Sequence, residues 1–105
     1  MRFFAIILAF GALFTLAAAQ AAEFWSDHHY KGNYFSAELM NVCIDLNRWS
    51  WGGVMSSYVV HKGYSCKFYT DRKCKNIKWI ATGRKDGTLD GDSNDAIWSY
   101  KCKNV

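Results

Sequence analysis

The chain repeats itself, and the repeat limits what it can fold into more than any other feature. Phe24-Trp25-Ser26-Asp27-His28-His29-Tyr30-Lys31-Gly32 can be set above Phe68-Tyr69-Thr70-Asp71-Arg72-Lys73-Cys74-Lys75-Asn76 at an offset of 44 residues. Aromatic meets aromatic at the first two positions, hydroxyl meets hydroxyl at Ser26 and Thr70, Asp27 meets Asp71, and Lys31 meets Lys75. Gly32 meets Asn76, the two residue types that best tolerate a positive φ. The shared pattern describes an aromatic strand that enters a polar turn and leaves it through a left-handed residue. A second match follows at an offset of 42, with Val54-Met55-Ser56-Ser57-Tyr58-Val59-Val60 above Ala96-Ile97-Trp98-Ser99-Tyr100-Lys101-Cys102. Both of these segments are rich in β-branched and aromatic residues and are expected to be strands. Two matches in register predict two related halves, with two residues deleted from the second.

Between these anchors each half has a middle region. In the first half Cys43-Ile44-Asp45-Leu46 is an expected strand, and Phe35 to Val42 has room for one helical turn at most. In the second half Ile77 to Thr82 is an expected strand, followed by a loop holding Gly83, Gly87 and Gly91. No segment sustains a helical period. Short strands separated by turn residues predict an all-β sandwich or barrel.

The first residues bear on the compartment. Arg2 precedes an almost unbroken apolar run from Phe3 to Leu16, and the small residues Ala17, Ala18, Ala19, Ala21 and Ala22 surround Gln20. That order is a secretory leader, here 1–21, with cleavage expected after Ala19 or Ala21. The apolar run is short for a bilayer span of about 20 residues. Export leaves a single soluble domain, 22–105, whose halves are 22–62 and 63–105. Removal of Arg2 leaves 12 basic and 9 acidic side chains, a mild net charge of +3. So small a core usually needs reinforcement, and outside the cell disulfides supply it. Cys43, Cys66, Cys74 and Cys102 are an even set without the close C-x-x-C pairs that zinc requires, so two bridges are expected. Four cysteines allow three pairings, and spacing alone does not choose among them. The five tryptophans (Trp25, Trp49, Trp51, Trp79 and Trp98) are expected in the core, the alternative being a carbohydrate-stacking platform.

Trp25 to Gly32 and Tyr69 to Asn76, each followed by a serine-bearing strand at Ser57 or Ser99, resemble the Greek-key motif of the βγ-crystallin superfamily. In the second copy Cys74 stands for the motif's aromatic and Asn76 for its glycine. The resemblance covers essentially the whole exported chain. It implies two Greek-key motifs packed as a β-sandwich, with Asp27, Gly32 and Ser57 shaping the first folded hairpin and Asp71, Asn76 and Ser99 the second. It also implies that the motifs exchange one strand. The strand near Cys43 would then lie beside the last strand, ending at Cys102, with Cys66 on the next strand and Cys74 in the folded hairpin. On that topology the resemblance favours Cys43–Cys102 with Cys66–Cys74 over Cys66–Cys102 with Cys43–Cys74.

Many microbial members of the superfamily bind calcium through a segment Asn/Asp-Asn/Asp-x-x-Ser/Thr-Ser, so the resemblance makes two segments candidate ligands. Gly52-Gly53-Val54-Met55-Ser56-Ser57 keeps the hydroxyls of Ser56 and Ser57 but has glycine at both leading positions. Asn94-Asp95-Ala96-Ile97-Trp98-Ser99 keeps Asn94 and Asp95 but has Trp98 in place of the coordinating hydroxyl. Each copy is half a site for an ion that needs six to eight oxygens, so no cofactor is expected beyond weak residual calcium. Asp86, Asp90, Asp92 and Asp95 form a Gly-rich acidic loop with the composition of a solvated turn region.

Arg72, Lys73, Lys75, Lys78, Arg84 and Lys85 form a basic run suited to anionic glycans, lipids or nucleic acid, or simply to solvent. The net charge does not call for a nucleic-acid partner. A small secreted ribonuclease would use His28 or His29 with Glu38 and His61 as acid and base and Arg48 on phosphate, but His28 and His29 align with Arg72 and Lys73 in a polar turn. No nucleophile with its base and orienter is present, so an enzyme is not expected. The expected function is that of a secreted, monomeric interaction module: a toxin, antimicrobial, effector or inhibitor acting on an extracellular protein, glycan or membrane surface. The alternative is an extracellular structural or stress protein with residual calcium binding.

Overall fold

The computed structural model describes residues 20–89, 91 and 94–105. All but the last two residues of the expected leader, and Asp90 and Asp92 of the acidic loop, lie outside the described residues. Eight strands follow in order: β1 (Gln20–Asp27), β2 (Lys31–Glu38), β3 (Ile44–Asp45), β4 (Ser57–Val60), β5 (Tyr64–Tyr69), β6 (Ile77–Thr82), β7 (Lys85–Thr88) and β8 (Ser99–Asn104). They form two four-stranded antiparallel sheets ordered β2-β1-β4-β7 and β3-β8-β5-β6. Each sheet takes three strands from one half and one from the other: β7 crosses to β4, and β3 crosses to β8. This is the strand exchange that the resemblance implies.

The repeat becomes a local twofold symmetry in the core. Phe24 and Phe68 are equivalent across the repeat, both are fully buried, and their rings meet edge to face at 5.6 Å. Tyr100 and Phe35 close on Phe24 at 5.2 and 5.8 Å, and Tyr58 and Trp79 close on Phe68 at 5.5 and 4.8 Å. The equivalent pair Met55 and Ile97 is likewise fully buried. Burial of a side chain such as Phe24 stabilises the fold by about 2–3 kcal/mol, and its edge-to-face contacts add about 1 kcal/mol each.

Several expectations change. The disulfides are Cys43–Cys74 and Cys66–Cys102, the less favoured of the two arrangements. The register explains why: Cys66 and Cys102 stand directly opposite on β5 and β8, both fully buried, with Cα atoms 4.1 Å apart. Cys43 lies just before β3 on the exposed rim, where Cys74 of the folded hairpin meets it. Among the described residues no cysteine is free. Phe35 to Val42 makes no helical turn, because β2 runs to Glu38. A 3-10 turn forms instead at Leu46–Trp49, capped by the Asp45 carboxylate on the Asn47 N–H at 2.9 Å. β3 therefore keeps only Ile44 and Asp45 of the expected strand, and the glycine-rich segment after β6 contains β7, with Gly87 opposite Tyr58. None of the five tryptophans is fully buried: Trp51 and Trp79 pack against the core from its margin, and Trp49 is 50% exposed.

Candidate functional site

Two folded hairpins carry the motif residues. In the first, the chain turns at His28 to Tyr30, and His29 and Tyr30 both have φ of 61°. Ser57, fully buried on β4, donates its hydroxyl hydrogen to the Asp27 carbonyl at 2.7 Å and accepts the Tyr30 N–H at 3.0 Å. In the second, Ser99 donates to the Asp71 carbonyl and accepts the Cys74 N–H at 3.2 Å. One hydroxyl thus satisfies two backbone groups in each half and ties the hairpin down over its own sheet. The left-handed residue common to both hairpins is Tyr30 and its equivalent Cys74, with φ of 61° and 56°. This corrects the expectation for the exit position: Gly32 has φ of 86°, but Asn76 is not left-handed. At Gly32 a Cβ would also collide with the Ser26 hydroxyl and with the Asp27 carboxylate.

The hairpins differ in how they are braced. At 71–76 the Asp71 carboxylate accepts three backbone N–H groups, from Lys73 at 3.0 Å, Lys75 at 2.9 Å and Asn76 at 2.7 Å. These bonds, that from Asn76 foremost, hold the Asp71 carboxyl below the usual aspartate range. The Cys43–Cys74 bridge anchors the loop to the segment before β3. The Arg72 guanidinium reaches Asp45 at 2.9 Å, and its hydrogen bond is the main cause holding the Asp45 carboxyl below its ordinary value. Among the described residues the first hairpin has neither bridge nor nest; there the Ser26 hydroxyl accepts the Asn33 N–H at 2.8 Å. The loop at 71–76 is therefore pinned at its base, middle and exit, while Arg72, Lys73 and Lys75 remain exposed.

The two candidate calcium segments cross. The Gly53 N–H donates to the Ile97 carbonyl at 2.9 Å, and the equivalent Asp95 N–H donates to the Met55 carbonyl at 3.2 Å. The crossing brings Ser56 of the first copy to Asp95 of the second, hydroxyl to carboxylate, at 3.1 Å. The side-chain oxygen of Asn94, the residue before Asp95, is buried and has no hydrogen-bond partner among the described residues. The surviving Ser56 of one copy and Asp95 of the other thus meet at one place. The two degenerate halves meet at the other: the Trp98 ring lies across Gly52 and Gly53, where a Cβ on Gly52 would overlap it. Ser57 belongs to the hairpin tie rather than to this place. The pairing is not visible within either copy's sequence, because Ser56 and Asp95 come from different copies.

The remaining candidates are not brought together. His28 bonds the Leu89 carbonyl at 2.7 Å, His61 pairs with Glu23 at 2.9 Å, and the Arg48 guanidinium lies over the Trp49 ring at 5.1 Å. Glu38 lines an apolar groove of about 330 Å³ between β2 and β3, with Tyr34, Phe35, Met40 and Trp49. Of the five tryptophans for which a carbohydrate-stacking platform is the alternative, only Trp49 lines this groove. Among the described residues no three His, Cys, Asp or Glu side chains cluster as metal ligands, and no helix is long and apolar enough to cross a membrane.

Comparison with known proteins bears on both fold and family. A βγ-crystallin domain from Clostridium beijerinckii superposes with a TM-score of 0.68 at 23% identity, over 82% of this chain and all of that one. One from Flavobacterium johnsoniae gives 0.65 at 20% identity, over 80% and 94%. A third, from a study of the evolution of the eye-lens βγ-crystallin domain fold, gives 0.72 at 19% identity, over 85% and 90%. These likenesses establish the βγ-crystallin fold. No curated protein matches the chain in sequence. The sequence model of peptidase inhibitor family I36 matches residues 24–80, more than half of the chain, from the first aromatic strand through the pinned loop and most of β6. The chain belongs to peptidase inhibitor family I36, on a βγ-crystallin fold.

Proposed function

We propose that the protein is a secreted, non-enzymatic inhibitor of extracellular peptidases that meets its target with the pinned loop at 71–76. The observation that carries this reading is the I36 match over 24–80, a span that includes both folded hairpins. The geometry supports it. An inhibitor gains affinity when its contact loop is already ordered, because less conformational entropy is lost on binding. The loop is held by the Asp71 nest, the Ser99 hydroxyl, the Cys43–Cys74 bridge and the Arg72–Asp45 pair. Lys73 and Lys75, exposed and without an ion pair among the described residues, are then free to enter a cleft.

The test is titration of the purified chain against metallo-, serine, cysteine and aspartic peptidases. The expected outcome is saturable inhibition of one class without cleavage of the inhibitor. Alanine at Lys73 and Lys75 together should weaken that inhibition about tenfold to a hundredfold, the range for anchor residues. Unhindered turnover by all four classes would overturn the reading.

A second reading, residual calcium binding, is favoured by the crossing of Ser56 with Asp95 and by the partnerless Asn94 oxygen. Ser56, Asn94 and Asp95 would supply hard oxygen ligands with one carboxylate among them. That composition suits a weak extracellular site, of about 10⁻⁴–10⁻³ M, which would brace the crossed loops. Millimolar calcium should raise the wild-type Tm and leave that of Asp95→Ala unchanged. Equal shifts in both proteins would remove this reading.

A further inference from the structure

The outer face of the second sheet carries charge that the fold leaves uncompensated. β5 and β8 pair so that Lys67 stands directly opposite Lys101, and Ser65 opposite Lys103. Like charges in directly opposed positions repel and destabilise a sheet. No carboxylate among the described residues pairs with these lysines; the carboxylates that meet a lysine or arginine there are Asp45, with Arg72, and Asp86, with Arg84. The three lysines line a concavity of about 220 Å³ with Asn41 and Ser65. Asn41 belongs to the connection from β2 to β3 and closes one side. Ser65 shares a hydrogen bond with Thr82 of β6 at 2.8 Å, so hydroxyls border the other side.

We infer that this concavity binds an acidic polysaccharide through its sulfate or phosphate groups. Three ammonium groups around one hollow favour a group with several anionic oxygens, and an anion seated there would offset the Lys67–Lys101 repulsion. Lys101 and Lys103 are two residues apart on one strand, about 6.7 Å, so the hollow extends along the strand and suits neighbouring charges on a polymer. The uncharged lining, Asn41 and Ser65, can hydrogen-bond sugar hydroxyls, whereas no aromatic side chain lines the hollow for bases to stack on. These lysines are not those of the basic run singled out in the sequence: Lys101 and Lys103 come from the end of the chain and meet Lys67 only through the β5–β8 register. The hollow lies away from the end of that ladder where Tyr69 meets Ser99, next to the loop at 71–76, so the inference does not rest on the inhibitor reading.

The test compares the intact exported chain with Lys67→Gln/Lys101→Gln and with Lys31→Gln/Lys85→Gln, which removes the same charge from the other sheet. Heparin is the polysaccharide probe. Inorganic sulfate, anionic phospholipid vesicles and a single-stranded RNA oligonucleotide are the comparison arms. The expected result is heparin binding at physiological ionic strength that weakens at least tenfold in the Lys67/Lys101 variant and much less in the Lys31/Lys85 variant. Without ligand at low salt, the Lys67/Lys101 variant should melt above the wild type, because the opposed charges are gone. Sulfate should raise the wild-type Tm and not that of the variant. Equal weakening in both variants would reduce the effect to net charge and overturn the site. Failure of the wild type to bind heparin would also overturn it. Tighter binding of vesicles or RNA through the same lysines would overturn the assignment to a polysaccharide.

Discussion

Ser57 and Ser99 show how one atom can fix a fold-level feature. Each hydroxyl satisfies a carbonyl and an N–H of its folded hairpin, so removing it leaves two backbone groups without partners. Ser57→Ala should cost about 2 kcal/mol or more, measured by urea unfolding. Ser99→Ala should cost less, because the Asp71 nest and the Cys43–Cys74 bridge still hold the second hairpin. Equal losses would mean that the bracing of the second loop is not structural. Asp71 gives a pH signature. Its carboxyl is held below the ordinary value by N–H groups that bond its charged form, chiefly that of Asn76. A depressed folded pKa adds stability that is present above the unfolded value, about 3.9, and is lost as pH falls through the folded value. Asp71→Asn should therefore unfold at lower urea than the wild type at pH 7, with the gap closing below about pH 4. A gap that stays constant down to about pH 2 would show that the charge of Asp71 is not what binds the loop.

At the scale of strands, local chemistry was legible and register was not. Ile77 to Thr82 runs as β6 over the expected residues, and the exchange of strands between halves follows the resemblance. The disulfide pairing needed one fact more, that Cys66 faces Cys102 across β5 and β8, and strand composition carries no register. The crossed loops were hidden for a related reason: Ser56 and Asp95 sit in different copies, and only the contact between copies reveals that they belong together. The same contact explains why Gly52 and Gly53 occur with Trp98, since the ring needs the space their missing side chains leave. The start of β1 bears on the expected leader, for which cleavage after Ala19 and after Ala21 are both readable in the sequence. Gln20 pairs with Glu38, its side-chain amide donates to the Ser36 hydroxyl at 2.8 Å, and the carbonyl of fully buried Ala21 accepts the His61 N–H at 3.0 Å. A mature chain starting at Ala22 would lose these contacts, about 1–2 kcal/mol and roughly 5–10 °C in Tm. We expect export to leave Gln20 as the first residue, which intact mass of the secreted protein would check; a mass starting at Ala22 would contradict it.

Across the whole molecule, the exchange of strands makes two similar halves into one cooperative unit. Without β7 the first sheet is left with β2, β1 and β4, and without β3 the second is left with β8, β5 and β6. The contact between Phe24 and Phe68, the bulkiest fully buried side chains among the described residues, crosses the boundary, as do the Gly53–Ile97 and Asp95–Met55 hydrogen bonds and the Cys43–Cys74 bridge. Either half alone would expose an apolar sheet face and the edge its missing strand had covered, and a core of that size does not offset the entropy of ordering the chain. Each motif nevertheless contains a complete hairpin tie, Ser57 to Asp27 or Ser99 to Asp71, so local structure by itself would favour independent folding. The two tendencies give opposite outcomes. If the shared core dominates, residues 20–62 and 63–105 made separately will each lack near-ultraviolet dichroism, and the intact chain will melt in one transition whose calorimetric and van't Hoff enthalpies agree. If the hairpin ties dominate, one fragment will show native-like dichroism and the intact chain will melt in two steps. The balance favours the single transition, because each tie joins two hydrogen bonds at the surface of a sheet, whereas the boundary buries the aromatic centre of the protein.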